Sequence, residues 1–494
     1  MNTATIESGS ETSPAEALRR DRWVLPAPPV RRRREPFLWL LCLLLVVYAV
    51  LGRSGAHLGL PLGGGSGIYI GDLVLLFGMA SSLVDGSYAR FFKLSIALPW
   101  SLFLAWNTAR TFPYLPQYGL LALRDGAQWG YSLFAVVVAS RLLANPSAFA
   151  TLLDRFGRFA RFYIYAVLAV APVAIRFPTG ALGFDFPPPV TNFMPHVANT
   201  TAFIVCRIVS VPSIWWAAMA MAVMAIGSQG RGAIVAFLAA IGVGWLLNPW
   251  RLRLRLTARN FGLFGGFCFL LAAALSLNLN FGVSGSHGRV IGPEQVLQNI
   301  AGSFTRTGDE DLNGTRQWRL EIWDKIVDYT VFGPYFWSGK GYGINLLDDA
   351  GMQVDADAAV RPRAPENSHL SFLARSGVPG FLLWVVLQAA WAGRILRGLV
   401  FARRSGRRRT TALMSFLLAC WTGYMVFSAT APVLESPFEG IWFWTIFGVG
   451  AAAAQTVRRD IDFFERTQGA PSQSRDARSW YAPHFDPKRA SGSC

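Results

Sequence analysis

Residues 31–52 read RRRREPFLWLLCLLLVVYAVLG: four arginines and a glutamate, then an almost unbroken apolar run. A helix crossing the hydrocarbon core of a bilayer needs about 20 such residues. FGLFGGFCFLLAAALSL at 261–277 and GIWFWTIFGVGAAAA at 440–454 are runs of the same kind. The whole chain of 494 residues is 52% hydrophobic and only 15% charged, whereas a soluble chain of this length is about one quarter charged. Together these features specify an all-α polytopic membrane protein.

The formal charge of +17 sits in short clusters beside apolar runs: 31–34, NPWRLRLRLTARN at 248–260, RRSGRRR at 403–409 and Arg458–Arg459. Clusters so placed mark cytoplasmic loops and touch anionic lipid. They do not form a nucleic-acid surface, and no nucleic-acid partner is expected. Four of the five cysteines fall inside apolar runs and the fifth is the last residue, so neither a disulfide framework nor a zinc spacing is indicated. Residues 1–35 are polar and rich in proline and arginine, as in a disordered cytoplasmic tail ahead of an uncleaved helix.

Loop charge then orders the crossings. With the N-terminus inside, helices are expected near 36–52, 67–84, 94–108, 119–140 and 159–176. Three short ones follow near 193–210, 213–228 and 230–248, then 261–281, 367–398, 410–431 and 438–456. That makes about 12, with both ends cytoplasmic and nine crossings within 36–281, three within 367–456, and a second tail over 457–494. Residues 282–366 become one long outer segment, carrying twelve acidic residues against eight basic ones. The same parity puts GSQGRGA (227–233), and with it Arg231, on the outer side.

A segment of that length is too long for a simple connection. GTRQWRLEIWDKIVDYTVFGP (314–334) spaces Trp318, Ile322, Ile326 and Tyr329 along one helical face, with Arg316 and Arg319 near its start. The face suits a helix lying on the membrane surface; the arginines also suit an anion site. SGKGYG (338–343) carries glycines for a turn or for close backbone approach, without a nucleotide-loop spacing. The acidic groups at 309–311, 348–349, 355 and 357 lack the calcium-loop order and read as solvated charge.

ENSHLSFLARSGVPG (366–380) ends the segment. Asn367 or Ser368 is a natural N-cap, placing His369 in the first helical turn. There the helix dipole favours the neutral ring, which can accept a proton, although such a histidine also serves as a polar helix end.

Three motifs in order now carry a resemblance: SQGRGAIVAFL (228–238), WRLEIW (318–323) ahead of FGPYFWSGKGYG (332–343), and NSHLSFLARSGVPGFLLW (367–384). They resemble the successive signatures of the O-antigen ligase and polymerase family, over about residues 193–460. The resemblance implies a metal-independent, inverting glycosyltransferase at the periplasmic face of a bacterial inner membrane, needing no cofactor. It implies a glycan donor linked by diphosphate to undecaprenol, a glycan or lipid acceptor, and polysaccharide-export partners. By match to the motifs, Arg231 and Arg319, with Arg316 as second choice, bind the diphosphate. His369 is the catalytic base, and Asn367, Gly377 and Gly380 shape the site. Leu370 after the histidine and Leu383 after Gly380 depart from the ligase pattern, so the expectation leans to a polymerase of exopolysaccharide or O-antigen repeat units, with the ligase as alternative.

A lipid-linked glycan transporter or flippase would also have many spans. It predicts internal repeats, of which none is clear, and buried charge, for which Arg124 and Asp125 are the main candidates. A scaffold predicts that Arg231, Arg319 and His369 tolerate substitution. A cell-wall polymerase of the rod-shape type predicts dependence on an acidic group such as 309–311.

Overall fold

The structure is a computed structural model that describes residues 35–63, 66–177, 186, 188–248, 293–304, 310–352 and 363–469. The expected tail over 1–34, the expected span 261–281 and the acidic residues 309, 355 and 357 lie outside them.

Thirteen helices of ten residues or more organise the described residues: α1 Pro36–Leu51, α2 Ile70–Val84, α3 Ala97–Thr111, α4 Ser132–Ala144, α5 Ser147–Arg176, α6 Met194–Val205, α7 Ser213–Gly227, α8 Arg231–Leu247, α9 Pro293–Phe304, α10 Glu310–Thr330, α11 Ser368–Arg404, α12 Arg408–Ser428 and α13 Pro437–Gly469. One hairpin of two short antiparallel strands, Gly59–Gly63 and Ser66–Tyr69, precedes α2. Among the described residues, five helical stretches are long and apolar enough to cross a membrane: Ala127–Ala144, α5, α11, α12 and the first part of α13. The apolar helices α1, α2, α7 and α8 are shorter. The protein is an all-α membrane protein.

Several boundaries differ from expectation. Helix α5 begins at Ser147, so Arg155 and Arg158 lie on a helix and not in a connecting loop. The fourth expected span starts later, with a short helix at Leu120–Asp125 ahead of the stretch Ala127–Ala144. Helix α13 runs on to Gly469, into the stretch expected as a tail.

Inside a bilayer, lipid is as apolar as leucine, so helices associate through close packing of small residues. Helices α8 and α12 meet at Gly423, where a Cβ would lie 3.0 Å from that of Ala240. Helices α4 and α13 meet at Gly448, where a Cβ would come within 2.6 Å of the Ala135 carbonyl. Tryptophans fill the rest of this core, and their N–H groups find carbonyls: Trp391 donates to Phe447 and Trp444 to Gln128.

Helix α11 is broken. Gly377 has φ +69° inside it, and Pro379 follows. The break exposes backbone groups that apolar surroundings cannot satisfy. The loop after α10 satisfies them: Lys340 N donates to Ala374 O at 2.7 Å, Gly341 N to Arg375 O at 3.0 Å, and Val378 N to Phe336 O at 2.8 Å. The indole of Trp106 on α3 donates to Ser376 O at 2.9 Å. Gly339 and Gly341 have positive φ, and a Cβ on either would strike Arg375 or Tyr114. The glycines of SGKGYG thus let backbone approach backbone.

Helix α10 docks on protein and not on a membrane surface. Ile322 and Ile326 are wholly buried against Leu346, Leu347, Leu373 and Ala374. Trp318 donates to Met352 O and Trp323 to Pro365 O. This packing fixes the face that carries Arg319.

Candidate active site

Everything at the site hangs on the turn between α12 and α13. Gly232, next to Arg231, is pressed against Thr430 of that turn, and Gly230 lies against Thr191. No side chain fits at either position, which is why glycine flanks the arginine on both sides. Arg231 opens α8 and donates to Gly302 O of α9 at 3.3 Å. Helix α9 is itself anchored through Asn299, wholly buried, which donates to Gly227 O and Ser228 O at 2.9 Å each.

The start of α11 meets the same turn. Ser368 Oγ donates to Ala431 O at 3.2 Å and accepts from Leu434 N at 3.1 Å. Asn367 is the N-cap: its Oδ1 accepts from His369 N at 3.0 Å and Leu370 N at 3.1 Å. Arg319 of α10 reaches the residue before that cap, with its Nη2 3.7 Å from a Glu366 carboxylate oxygen. Helix starts at 231 and 368 therefore face one end of the bundle, and Arg319 joins them there. Two helix N-termini add positive potential to that of the guanidinium groups. Arg316, one turn before Arg319, is half-buried and forms no ion pair among the described residues.

His369 has both ring nitrogens engaged. Trp384 Nε1 donates to its Nδ1 at 3.1 Å, and the indole N–H can only donate. Nδ1 is therefore the acceptor, leaving Nε2 to donate to Met425 O at 3.0 Å. The ring is neutral and locked. To take a proton at Nδ1 it would first have to lose Trp384.

Gly377 and Gly380 hold the break and its packing. At Gly377 a Cβ would lie 2.5 Å from Phe336 O, and at Gly380 it would strike Ser376 and approach Trp106.

Three charged groups escaped sequence reasoning. Arg375 is wholly buried on α11, with its Nη1 2.8 Å from Asp125 Oδ2. Asp125, which is buried, also accepts from Gly343 N at 3.0 Å and lies 3.3 Å from Arg363. The neighbouring Arg124 is exposed, so the two adjacent charges do not face each other. Glu435, on the central turn, has a buried oxygen, and burial pushes its carboxyl up while the Arg375 guanidinium opposes that. Glu366 is the third. Burial likewise raises its carboxyl above the usual range, and Arg319 pulls the other way. The Glu366 backbone has φ +52°.

Residues 216–385 match the family model described as O-antigen ligase. That stretch is similar to the O-antigen ligase family. No curated protein matches it. The matched stretch opens within α7, closes in α11 beside Trp384, and contains Arg231, Arg319, Glu366, Asn367, His369, Gly377 and Gly380. The matched stretch thus covers the helix starts at Arg231 and Ser368 that meet the α12–α13 turn, but not the turn itself.

Proposed function

We propose that this chain is a membrane glycosyltransferase that moves a glycan from a polyprenyl diphosphate, undecaprenyl diphosphate being the usual carrier, to an acceptor hydroxyl at the periplasmic face. The observation that carries the reading is the convergence of Arg231, Arg319 and the Glu366–His369 cap on one end of the bundle, within the stretch similar to the O-antigen ligase family.

The chemistry suits the residue types. Cleaving a glycosyl–diphosphate bond leaves charge on phosphate oxygens. Guanidinium groups bind those in a bidentate fork, and two helix N-termini add to the field. Stabilising charge that appears on the leaving group is commonly the largest catalytic contribution. Arg231 and Arg319 hold the diphosphate in this scheme, Arg316 stands one turn behind, and the acceptor loses its proton at the cap of α11. Transfer inverts the anomeric centre and needs no metal. The periplasmic side follows from the charge asymmetry of the loops, with about 12 spans and both ends cytoplasmic.

Polymerisation of repeat units is the preferred form, because Leu370 and Leu383 depart from the ligase pattern. Transfer to a lipid A core is the second. A strain lacking the chain, complemented with wild type, separates them. Consumption of single lipid-linked units with appearance of long polymer identifies a polymerase. Long lipid-linked chains left unattached in the deletion strain identify a ligase. Arg231→Lys keeps the charge but not the fork, so most activity should be lost; near-normal turnover in that variant would refute the diphosphate site. Transport is disfavoured by Asp125, whose charge is engaged in fastening Gly343, Arg363 and Arg375 together.

A further inference from the structure

We infer that Glu366 is the catalytic base of this site and that His369 is a positioning residue. The inference rests on the glycosyl-transfer reading above.

The backbone is the first observation. Glu366 has φ +52°, a left-handed conformation that glutamate seldom adopts. Such strain persists where the surrounding structure enforces it, and it clusters at functional sites. What enforces it here is the junction of two fixed pieces. Pro365 O is held by Trp323 on α10, and Asn367 must present its side chain to cap α11. Between those anchors the chain turns through Glu366, and the carboxylate comes to Arg319.

The second observation is placement. Among the described residues, Arg319 is the one ion-pair partner of Glu366, and at 3.7 Å the pair is loose. The Glu366 side chain is 31% exposed, so an acceptor hydroxyl has access to it and water can later remove the proton. Inversion brings the acceptor in on the face of the anomeric carbon opposite the diphosphate, so the proposal requires the sugar to lie with that face toward Glu366.

The third observation is the contrast with His369, whose ring nitrogens are both bonded within the protein. Those bonds fix the first turn of α11 to α12 and to Trp384. They steady the cap from which Glu366 extends, which is a positioning role.

Partial burial raises the Glu366 carboxyl above its ordinary range, which makes the carboxylate a better proton acceptor. Arg319 opposes that shift. A diphosphate bound on Arg319 takes over the guanidinium and adds negative charge nearby, so donor binding itself strengthens the base. In the step, the acceptor O–H proton passes to the Glu366 carboxylate as the acceptor oxygen bonds to the anomeric carbon. The anomeric C–O bond breaks, and its electron pair stays on the diphosphate held by Arg231 and Arg319. The protonated Glu366 then returns its proton to water.

The test uses the full chain in the complemented strain, together with purified protein in nanodiscs probed with undecaprenyl diphosphate alone. Glu366→Gln should reduce polymer formation by about 100-fold or more, in line with loss of a general base. It should bind undecaprenyl diphosphate at least as tightly as wild type, since Arg319 is released. Glu366→Asp and Glu366→Asn both tolerate positive φ, so this pair isolates the carboxylate from the backbone. Asp should keep measurable activity and Asn should not. The pair decides the matter if the glutamine variant fails to insert. His369→Gln, which can still donate to Met425 O, should retain more activity than His369→Ala at unchanged undecaprenyl diphosphate binding. Normal turnover of Glu366→Asn overturns the inference. So does loss of undecaprenyl diphosphate binding in Glu366→Gln, which would make the carboxylate a brace for Arg319. If those results come with inactive Arg231→Lys, the glycosyl-transfer reading stands without this base; if Arg231→Lys and Arg319→Ala are also active, that reading falls too.

Discussion

Replacing Asp125 with alanine should strand a buried cation. Arg375 is wholly buried, and its Nε and Nη2 have no hydrogen-bond partner among the described residues. Its Nη1 has Asp125 at 2.8 Å and Ile344 O at 3.2 Å. Removing one member of a buried pair costs about 3–5 kcal/mol, because the other charge remains desolvated. Arg363 keeps Gly343 O at 2.7 Å, so its loss adds little. The expected penalty is therefore that of the pair, together with the hydrogen bond that Gly343 N loses. Equilibrium unfolding of the purified chain in mixed micelles measures it, and limited proteolysis across 338–346 reports whether the loop has come away. Arg375→Met supplies an internal control. It leaves Asp125 with Arg363 and Gly343 N, so it should cost less than Asp125→Ala. The double variant should then be more stable than Asp125→Ala by itself, since no stranded charge remains. An Asp125→Ala protein within about 1 kcal/mol of wild type, with unchanged proteolysis, would refute the account.

Three further outcomes are expected. Gly377→Ala combines a positive φ with a Cβ 2.5 Å from Phe336 O; it should destabilise by more than the roughly 1 kcal/mol of the backbone conformation alone, read from the same unfolding curves. Trp384→Phe removes one neutral hydrogen bond from His369 Nδ1, worth about 0.5–1.5 kcal/mol, so polymer formation should fall no more than about tenfold; complete loss would make that ring nitrogen part of the chemistry. Glu435→Gln tests a buried carboxyl whose proton affinity is raised by burial. Such a group favours folding at low pH and loses that contribution as pH rises through its raised value. The melting temperature of Glu435→Gln relative to wild type should accordingly be higher at about pH 8 than at about pH 5, and the opposite trend would count against the buried acid.

The sequence carried the helices well, because apolar composition is a local property. It also carried the stripe Trp318, Ile322, Ile326 and Tyr329, but not what the stripe meets, since Leu346, Leu373 and a membrane surface all satisfy the same pattern. Arg231, Arg319, Asn367 and His369 were named from motifs, and the fold brings the helix starts at 231 and 368 to one turn, with Arg319 reaching Glu366 beside it. That turn, with Glu435 and the carbonyl of Ala431, had no motif of its own. Asp125 and Arg375 are joined across most of the chain, and no local pattern pairs them. Glu366 looked like one more acidic residue in a polar segment. Its backbone angle and its partner are properties of the folded chain alone.

The loop after α10 is fastened to α11 chiefly by amide and carbonyl groups at 336–341 and 374–378. Every residue type except proline brings the same amide and carbonyl to such a seam. Away from the glycines that the seam requires, the loop can exchange one side chain for another without coming undone. For the glycosyl transfer proposed above, that arrangement would let the side chains of this loop change to suit a different glycan while its mooring holds.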